Sequence, residues 1–484
     1  MNFRRVLIGF SILMFVGVMA AEPAADVREA ADRLAASIYV GPGMHTLREL
    51  SDGFGGRLSG SPAYNHAAEW AAAKFRSYGI QNVKLDPFTI PNGWVRGTAH
   101  AQLLTPVSHT LHLESLGWSP STPAGGVRGE VVIVDDVSAE NIKAQGGKLK
   151  GKIVFLDISK IFADGWVKVL AKLEASYPLF KDAGAIALVF PDHDRNNVLN
   201  ATDPNWGAKL LVLPGAQIGM EDWQFIRRSL DNGPVTMQFD LQNTTSGPTQ
   251  VNNVIAEIPG SDFPDQWILI GAHLDSWDYG TGAQDNGTGT AMVLDVARAI
   301  ASAGKPPRRS IRFALWGGEE QGLLGSYAYT QEHLNELAKC VAVLNTDNGS
   351  GHPKGWKVED RKDVKTAMQP ISDSMLKDIG GGGLSLETTY DTDHGPFMLQ
   401  GIPVLDLWVE MARYVEVHHK SSDTYDKVDP VDFKADTAIV ATTAWVIAED
   451  PQPIAPHIEH EAVAGILKKA ELDSLLAYIG QWKP

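Results

Sequence analysis

Apolar residues in this chain gather into short runs without alternation, and several of these runs end in glycine and polar side chains. Residues 267–272 read Trp-Ile-Leu-Ile-Gly-Ala and deliver His273. Residues 311–316 lead into Gly317, Gly318, Glu319 and Glu320; residues 341–345 lead to Asp347; residues 402–409 precede a polar loop that holds His418 and His419. Such runs predict strands buried on both faces of a parallel sheet. Ligands of open α/β sheets gather at the carboxyl edge of these strands. Helical patterns at 64–78 and 290–301, and a strand-like 83–88, complete the expectation. It is an α/β fold with a mixed, mostly parallel central sheet flanked by helices.

Between about 120 and 245 the texture changes. Residues 131–134, 153–156 and 185–190 are β-rich runs separated by Gly, Lys and Asp turns, which predicts an inserted β-rich domain. The expected organisation has an export signal at 1–20 and a first helix or prosegment at 21–45. The main domain then falls in two parts, 46–119 and 246–450, around an insert at 120–245. Pro451, Pro453 and Pro456 open a linker to a helical tail within 451–484, whose Ala464, Ile466, Leu467, Leu472, Leu475 and Leu476 form one apolar side.

At 484 residues, with 44% hydrophobic and 21% charged residues, the chain has the make-up of a globular protein of two to three domains. A net charge of −16 makes nucleic acid and anionic membrane surfaces poor partners. Arg4 and Arg5, the apolar stretch from Val6 to Ala20 and small residues at its end read as a signal peptide. The expected location is therefore periplasmic or extracellular, with no membrane attachment after cleavage. Cys340 is the single cysteine, so no intrachain disulfide can form, and its apolar run reads as core.

The chemistry lies in five ordered residues, His273, Asp285, Glu320, Asp347 and His419. Imidazoles with carboxylates suit zinc, whereas calcium prefers an all-oxygen shell. A carboxylate shared by two ions about 3.5–4 Å apart makes a co-catalytic pair, so two Zn²⁺ are the expected cofactors. Asp285 stands where a glycine-rich stretch, 280–289, meets a helix, free to reach two ions. Glu319 and Glu320 are neighbours on non-helical backbone, where side chains diverge; Glu320 is assigned as ligand and Glu319 as general base. Asp275 is placed to accept the other N–H of His273. The glycine stretch lacks both the P-loop ending and the dinucleotide spacing, which argues against phosphate binding. Spacing alone does not choose between His418 and His419.

His-Leu-Asp-Ser-Trp-Asp at 273–278, Gly-Ala-Gln-Asp-Asn-Gly at 282–287, Trp-Gly-Gly-Glu-Glu-Gln-Gly at 316–322, Asn-Thr-Asp at 345–347 and His-His-Lys-Ser-Ser-Asp-Thr at 418–424 together resemble the M28 family of co-catalytic zinc peptidases, in particular its carboxypeptidase Q branch. The resemblance implies a zinc-exopeptidase fold with one zinc on His273 and Asp347, the other on Glu320 and His419, Asp285 between them and Glu319 as the base. It also implies small unblocked peptides, dipeptides above all, as substrates, and a homodimer. Lys148 to Val154 with Ala183 to Ala185 resembles a protease-associated module. The segment Asp391-Thr-Asp-His-Gly-Pro-Phe397 resembles one that lies near the site in this family, which makes His394 a candidate substrate contact. The alternative is a catalytically silent binding module on the same fold, against which the intact ligand set argues.

Overall fold

Eight strands form the main sheet, in the order Asn82–Ile90, Thr249–Ile258, Arg309–Trp316, Phe263–His273, Cys340–Asn345, Val404–Val409, Pro353–Lys357 and Gly383–Ser385. The four strands from Arg309–Trp316 to Val404–Val409 run parallel, and antiparallel pairs flank them on both sides. A computed structural model of the chain describes residues 22–157 and 166–483; the export signal expected at 1–20 lies outside the described residues.

The non-alternating runs do what their pattern predicts. In Phe263–His273, Ile268, Ile270 and Ala272 enter one apolar cluster while Trp267 and Leu269 enter another. The first cluster is covered by the helices Ala25–Tyr39, Gly43–Phe54, Thr288–Ala301 and Pro430–Glu449. The second is covered by Leu324–Glu332 and by the C-terminal tail, whose Val463, Leu467, Leu476 and Trp482 are buried there. The tail, read as one helix, is two, His460–Lys469 and Asp473–Tyr478, divided at Glu471 by a positive φ of 59°. No side chain at the break announces it.

A second eight-stranded sheet has the order His109–Thr110, Ala99–Thr105, Thr236–Leu241, Val127–Val134, Ile153–Leu156, Ala187–Pro191, Gly215–Ile218 and Leu113–Ser115, with the four strands from Val127–Val134 to Gly215–Ile218 parallel. It has apolar clusters of its own, one built on Ile153, Phe155, Val189 and Trp223, the other on Val154, Leu156, Leu188 and Phe190. Strands from 99 to 115 join this sheet, upstream of the 120 at which the texture changes. The mixed stretch 99–105, Ala-His-Ala-Gln-Leu-Leu-Thr, carries no signal of which sheet it enters.

Among the described residues no helix is long and apolar enough to cross a membrane. Cys340 is a buried free thiol, and burial raises its pKa.

Leu269 and Ile270 are both fully buried on opposite faces of one strand. Leu269→Ala and Ile270→Ala are each expected to cost about 2–5 kcal/mol, read from urea or thermal unfolding. A strand with one wet face would show the loss at one of the two positions alone.

Candidate metal centre

Strand register sets the site. His273 lies opposite Trp316, and Gly271 opposite Asn345, so the turns leaving three parallel strands emerge side by side. His273 ends its strand with Nδ1 2.9 Å from the Asp275 carbonyl oxygen. That contact fixes the ring and turns Nε2 toward Asp347 Oδ1 at 3.0 Å, Asp285 Oδ1 at 3.2 Å and Glu319 Oε2 at 3.7 Å. On the other side, His419 Nε2 lies 3.0 Å from Glu320 Oε2 and 3.4 Å from Asp285 Oδ2. All six residues predicted from sequence as ligands or base therefore converge, and Asp285 presents one oxygen to each imidazole. His418 also approaches, its Nε2 3.6 Å from Asp285 Oδ2, with its ring stacked on His419 at 3.7 Å between centroids.

The loop carrying Asp285 is pinned by a residue 138 positions away. Asp423 accepts from Gln284 N (2.7 Å) on one carboxylate oxygen and from Asp285 N (3.0 Å) on the other, and its carbonyl accepts from Thr281 N (2.8 Å). Arg57, fully buried, ties this loop to the one after His273. Its guanidinium donates to the carbonyls of Leu274 (2.9 Å), Gly55 (2.9 Å), Thr281 (2.7 Å) and Gly282 (2.9 Å). Asp275 differs in detail from its expected role. Its main-chain oxygen holds the imidazole, while its carboxylate, 3.5 Å from Nδ1, accepts from Ser59 Oγ and Gly318 N, each at 3.0 Å. It thereby fixes the turn that presents Glu319 and Glu320.

So many carboxylates in a dry site raise one another's proton affinity. Burial, with Asp347 and Asp393 nearby, pushes Glu319 well above the carboxylate range. Burial and Asp285 do the same to Glu320, and burial dominates at Asp347. Burial opposes the His273 imidazolium, yet Asp347 and Glu319 more than offset it, so His273 is raised. Burial is the largest influence on Asp285 and acts upward, but His273 and the 418–419 pair outweigh it and hold Asp285 low. Asp285 Oδ2 is buried with no hydrogen-bond donor. An orphaned anionic oxygen between two imidazoles and three further carboxylates fits metal cations, and the mixed N/O donor set fits zinc.

His394 sits apart from this convergence. It is fully buried, with Nδ1 2.5 Å from Thr392 Oγ1 and Nε2 3.1 Å from the Thr389 carbonyl, which leaves neither nitrogen open to a ligand. Its neighbour Asp393, also buried, is the residue of that segment whose charge is felt at Glu319 and Asp347. Asp393 accepts from Ser326 Oγ at 2.5 Å through one oxygen and keeps the other unpaired; burial pushes it up to about 7. Sequence reasoning gave no role to Asp393, Asp423 or Arg57. Asp393 and Asp423 stand inside segments noted for other reasons, and for all three only folding shows the contact. A cavity of about 890 Å³ lies beside the 319–322 turn, with Gly322, Trp206, Leu324 and Tyr327 in its wall.

Comparison with known proteins gives a consistent picture. The family model described as Peptidase family M28 matches residues 253–444. Carboxypeptidase Q of Bos taurus is 29% identical over 416 residues, spanning 83% of this chain and 84% of that one. The crystal structure of a peptidase M28 precursor from Shewanella amazonensis SB2B superposes with a TM-score of 0.74 at 31% identity, covering 90% of this chain and 99% of the other. A zinc aminopeptidase from Bacillus subtilis shares the fold, with a TM-score of 0.62 at 22% identity over 88% and 98% of the two chains.

Replacing Arg57 removes a buried cation and strands four carbonyls. Arg57→Met is expected to destabilise the protein by at least about 3 kcal/mol, measured by urea unfolding. Arg57→Lys should recover little of this, because an ammonium cannot reproduce the planar fork.

Proposed function

The chain belongs to peptidase family M28, and on that premise we propose that it is an exported zinc exopeptidase that cleaves small unblocked peptides, dipeptides foremost. The names of its relatives, a carboxypeptidase and a zinc aminopeptidase, describe release of terminal residues. The observation that carries the reading is Asp285, whose two oxygens face His273 at 3.2 Å and His419 at 3.4 Å. In this reading His273 and Asp347 would hold one zinc, and Glu320 and His419 the other, with Asp285 placed between the two pairs. Zinc bound there would activate water and polarise the scissile carbonyl.

The remaining work falls to the chain itself. The Asp275 carbonyl holds Nδ1 of His273, so the Nε2 lone pair is directed into the cluster. Glu319 reaches the same space, its Oε2 3.7 Å from that nitrogen, and its side chain is mostly enclosed. Its carboxylate accepts the proton of the attacking water and passes it to the departing amine. Ser59 and Asp275 hold the Gly318 amide, so Glu319 starts from a fixed backbone. Asp423 keeps Asp285 from following either imidazole alone. The basic start and apolar stretch within residues 1–20, read as an export signal, support a place outside the cytoplasm.

Two measurements check this reading. Glu319→Gln is expected to keep the wild-type zinc content by elemental analysis and to lose turnover by roughly 10²–10⁴-fold; undiminished turnover would remove Glu319 from the mechanism. One dipeptide, offered unblocked, amino-acetylated and carboxyl-amidated, tests the substrate class. Loss of cleavage with both blocks is the expected, dipeptidase outcome. Loss with acetylation alone defines an aminopeptidase, and loss with amidation alone a carboxypeptidase. No cleavage of any form by zinc-loaded protein would favour the binding module.

A further inference from the structure

The loop that carries His419 is held from outside the main sheet. His419 has a φ of 61°, a left-handed conformation that non-glycine residues seldom adopt without support. Its carbonyl accepts from Ala201 N at 2.8 Å, and Lys420 forms an isolated antiparallel bridge with Asn200. The ammonium of Lys420, whose side chain is 11% exposed, reaches Asp194 Oδ1 at 3.1 Å. All three grips come from a single stretch, residues 192–203, that follows the Ala187–Pro191 strand of the second sheet.

That stretch is itself organised by one carboxylate. Asp192 is buried and accepts four hydrogen bonds. Oδ1 takes His193 N (2.7 Å) and Asp194 N (3.3 Å), and Oδ2 takes Asn200 N (2.7 Å) and Gln217 Nε2 (2.8 Å). Gln217 belongs to the next strand, Gly215–Ile218, and Asp192 N donates to Ile218 O at 2.8 Å. One side chain therefore closes the loop from 193 to 200 and fastens it to the sheet.

We propose that Asp192 is a positioning residue for the metal centre, acting through the 192–203 stretch to hold the backbone of His419, so that the second sheet contributes to zinc retention at the His419 and Glu320 position. This rests on the reading of His419 as a zinc ligand. An asparagine at 192 has a single acceptor oxygen and must turn an amide N–H₂ toward two of the four donors. The stretch then loses either its Asp194 end or its Asn200 end, and both ends grip the ligand loop. The His273 and Asp347 position, held within the main sheet, has no such dependence.

The test is zinc retention by the full-length chain, dialysed against a graded chelator and read by elemental analysis, with unfolding midpoints recorded alongside. The wild type is expected to retain two zincs. Asp192→Asn is expected to release one of them at a chelator activity on the order of 10-fold lower, with the second zinc unchanged. Asp194→Ala, at a partly exposed side chain, should shift the same zinc in the same direction, and it carries the test if Asp192→Asn does not fold. Met237→Ala, in the core of the second sheet but with three strands between it and Gly215–Ile218, is the control: it should lower the unfolding midpoint and leave both zincs in place. Wild-type retention in the 192 and 194 variants overturns the proposal alone. Equal zinc loss in Met237→Ala overturns it as a general effect of instability. A wild type that takes up no zinc overturns the ligand reading, and this proposal with it.

Discussion

Negative charge concentrated in a nearly dry space governs this structure. Asp285, Glu319, Glu320 and Asp347 meet around two imidazoles at distances of 3.0–3.7 Å, with Asp275 and Asp393 close behind. In a low-dielectric interior such a group of carboxylates opposes folding unless donors and cations are supplied at fixed places. The chain supplies the donors from its backbone. Gly318, Gln284 and Asp285 each give an amide to a carboxylate, and Arg57 gives a buried guanidinium to the carbonyls of the same loops. The loops are consequently rigid where their side chains repel one another, and the repulsion that remains is what divalent cations would relieve.

Parallel strands make this concentration possible. Their register places His273, Trp316 and Asn345 at nearly one level, and the polar turns beyond them have no course but to meet. An antiparallel arrangement would have sent alternate turns to the opposite edge. The apolar helices on both faces then exclude water from the strands while leaving the carboxyl edge open. The fold and the site are in this sense one arrangement: double-sided burial forces the runs to be apolar, and their ends are where polar chemistry can begin.

The same reasoning explains what could be read from sequence. Buried parallel strands are local signals, since six consecutive apolar residues need no knowledge of their partners, and His273, Glu320 and Asp347 each followed a run within a few positions. The helix at 288–301 and the strand at 153–156 were legible for similar reasons. Residues acting through distant contacts were not. Asp423 holds a loop 138 positions upstream, Arg57 one 224 positions downstream, and Asp192 is connected to the His419 loop through Asn200 and Asp194. Asp275 was placed at the right atom of His273, but through its carboxylate, because nothing in one dimension separates a side-chain oxygen from the carbonyl beside it. His394 drew attention by its neighbours, although Asp393 is the member of the pair whose charge reaches the cluster.

The two halves of the centre differ in what holds them. His273 ends a central strand, and Asp347 follows the adjacent strand by two residues, so that half is an outgrowth of the main sheet. The His419 half is assembled from loops. Trp277 donates its main-chain N–H to Glu320 at 3.0 Å and sets its ring edgewise to His419 at 6.0 Å. Trp118, which meets Trp277 at 6.3 Å and Trp94 at 5.9 Å, extends that aromatic wall toward the second sheet. Arg96 adds a bidentate grip on Asp278, one residue beyond Trp277. The contacts of Trp118 with Trp277 and of Arg96 with Asp278 join chain from before residue 120 to the loop after His273, and Trp277 and the 192–203 stretch both touch His419. His419, a left-handed loop residue, needs support from its surroundings, whereas His273, at a strand end, takes it from the neighbouring strands. Through the 192–203 stretch the second sheet thus meets the backbone at His419 much as the neighbouring strands meet that of His273.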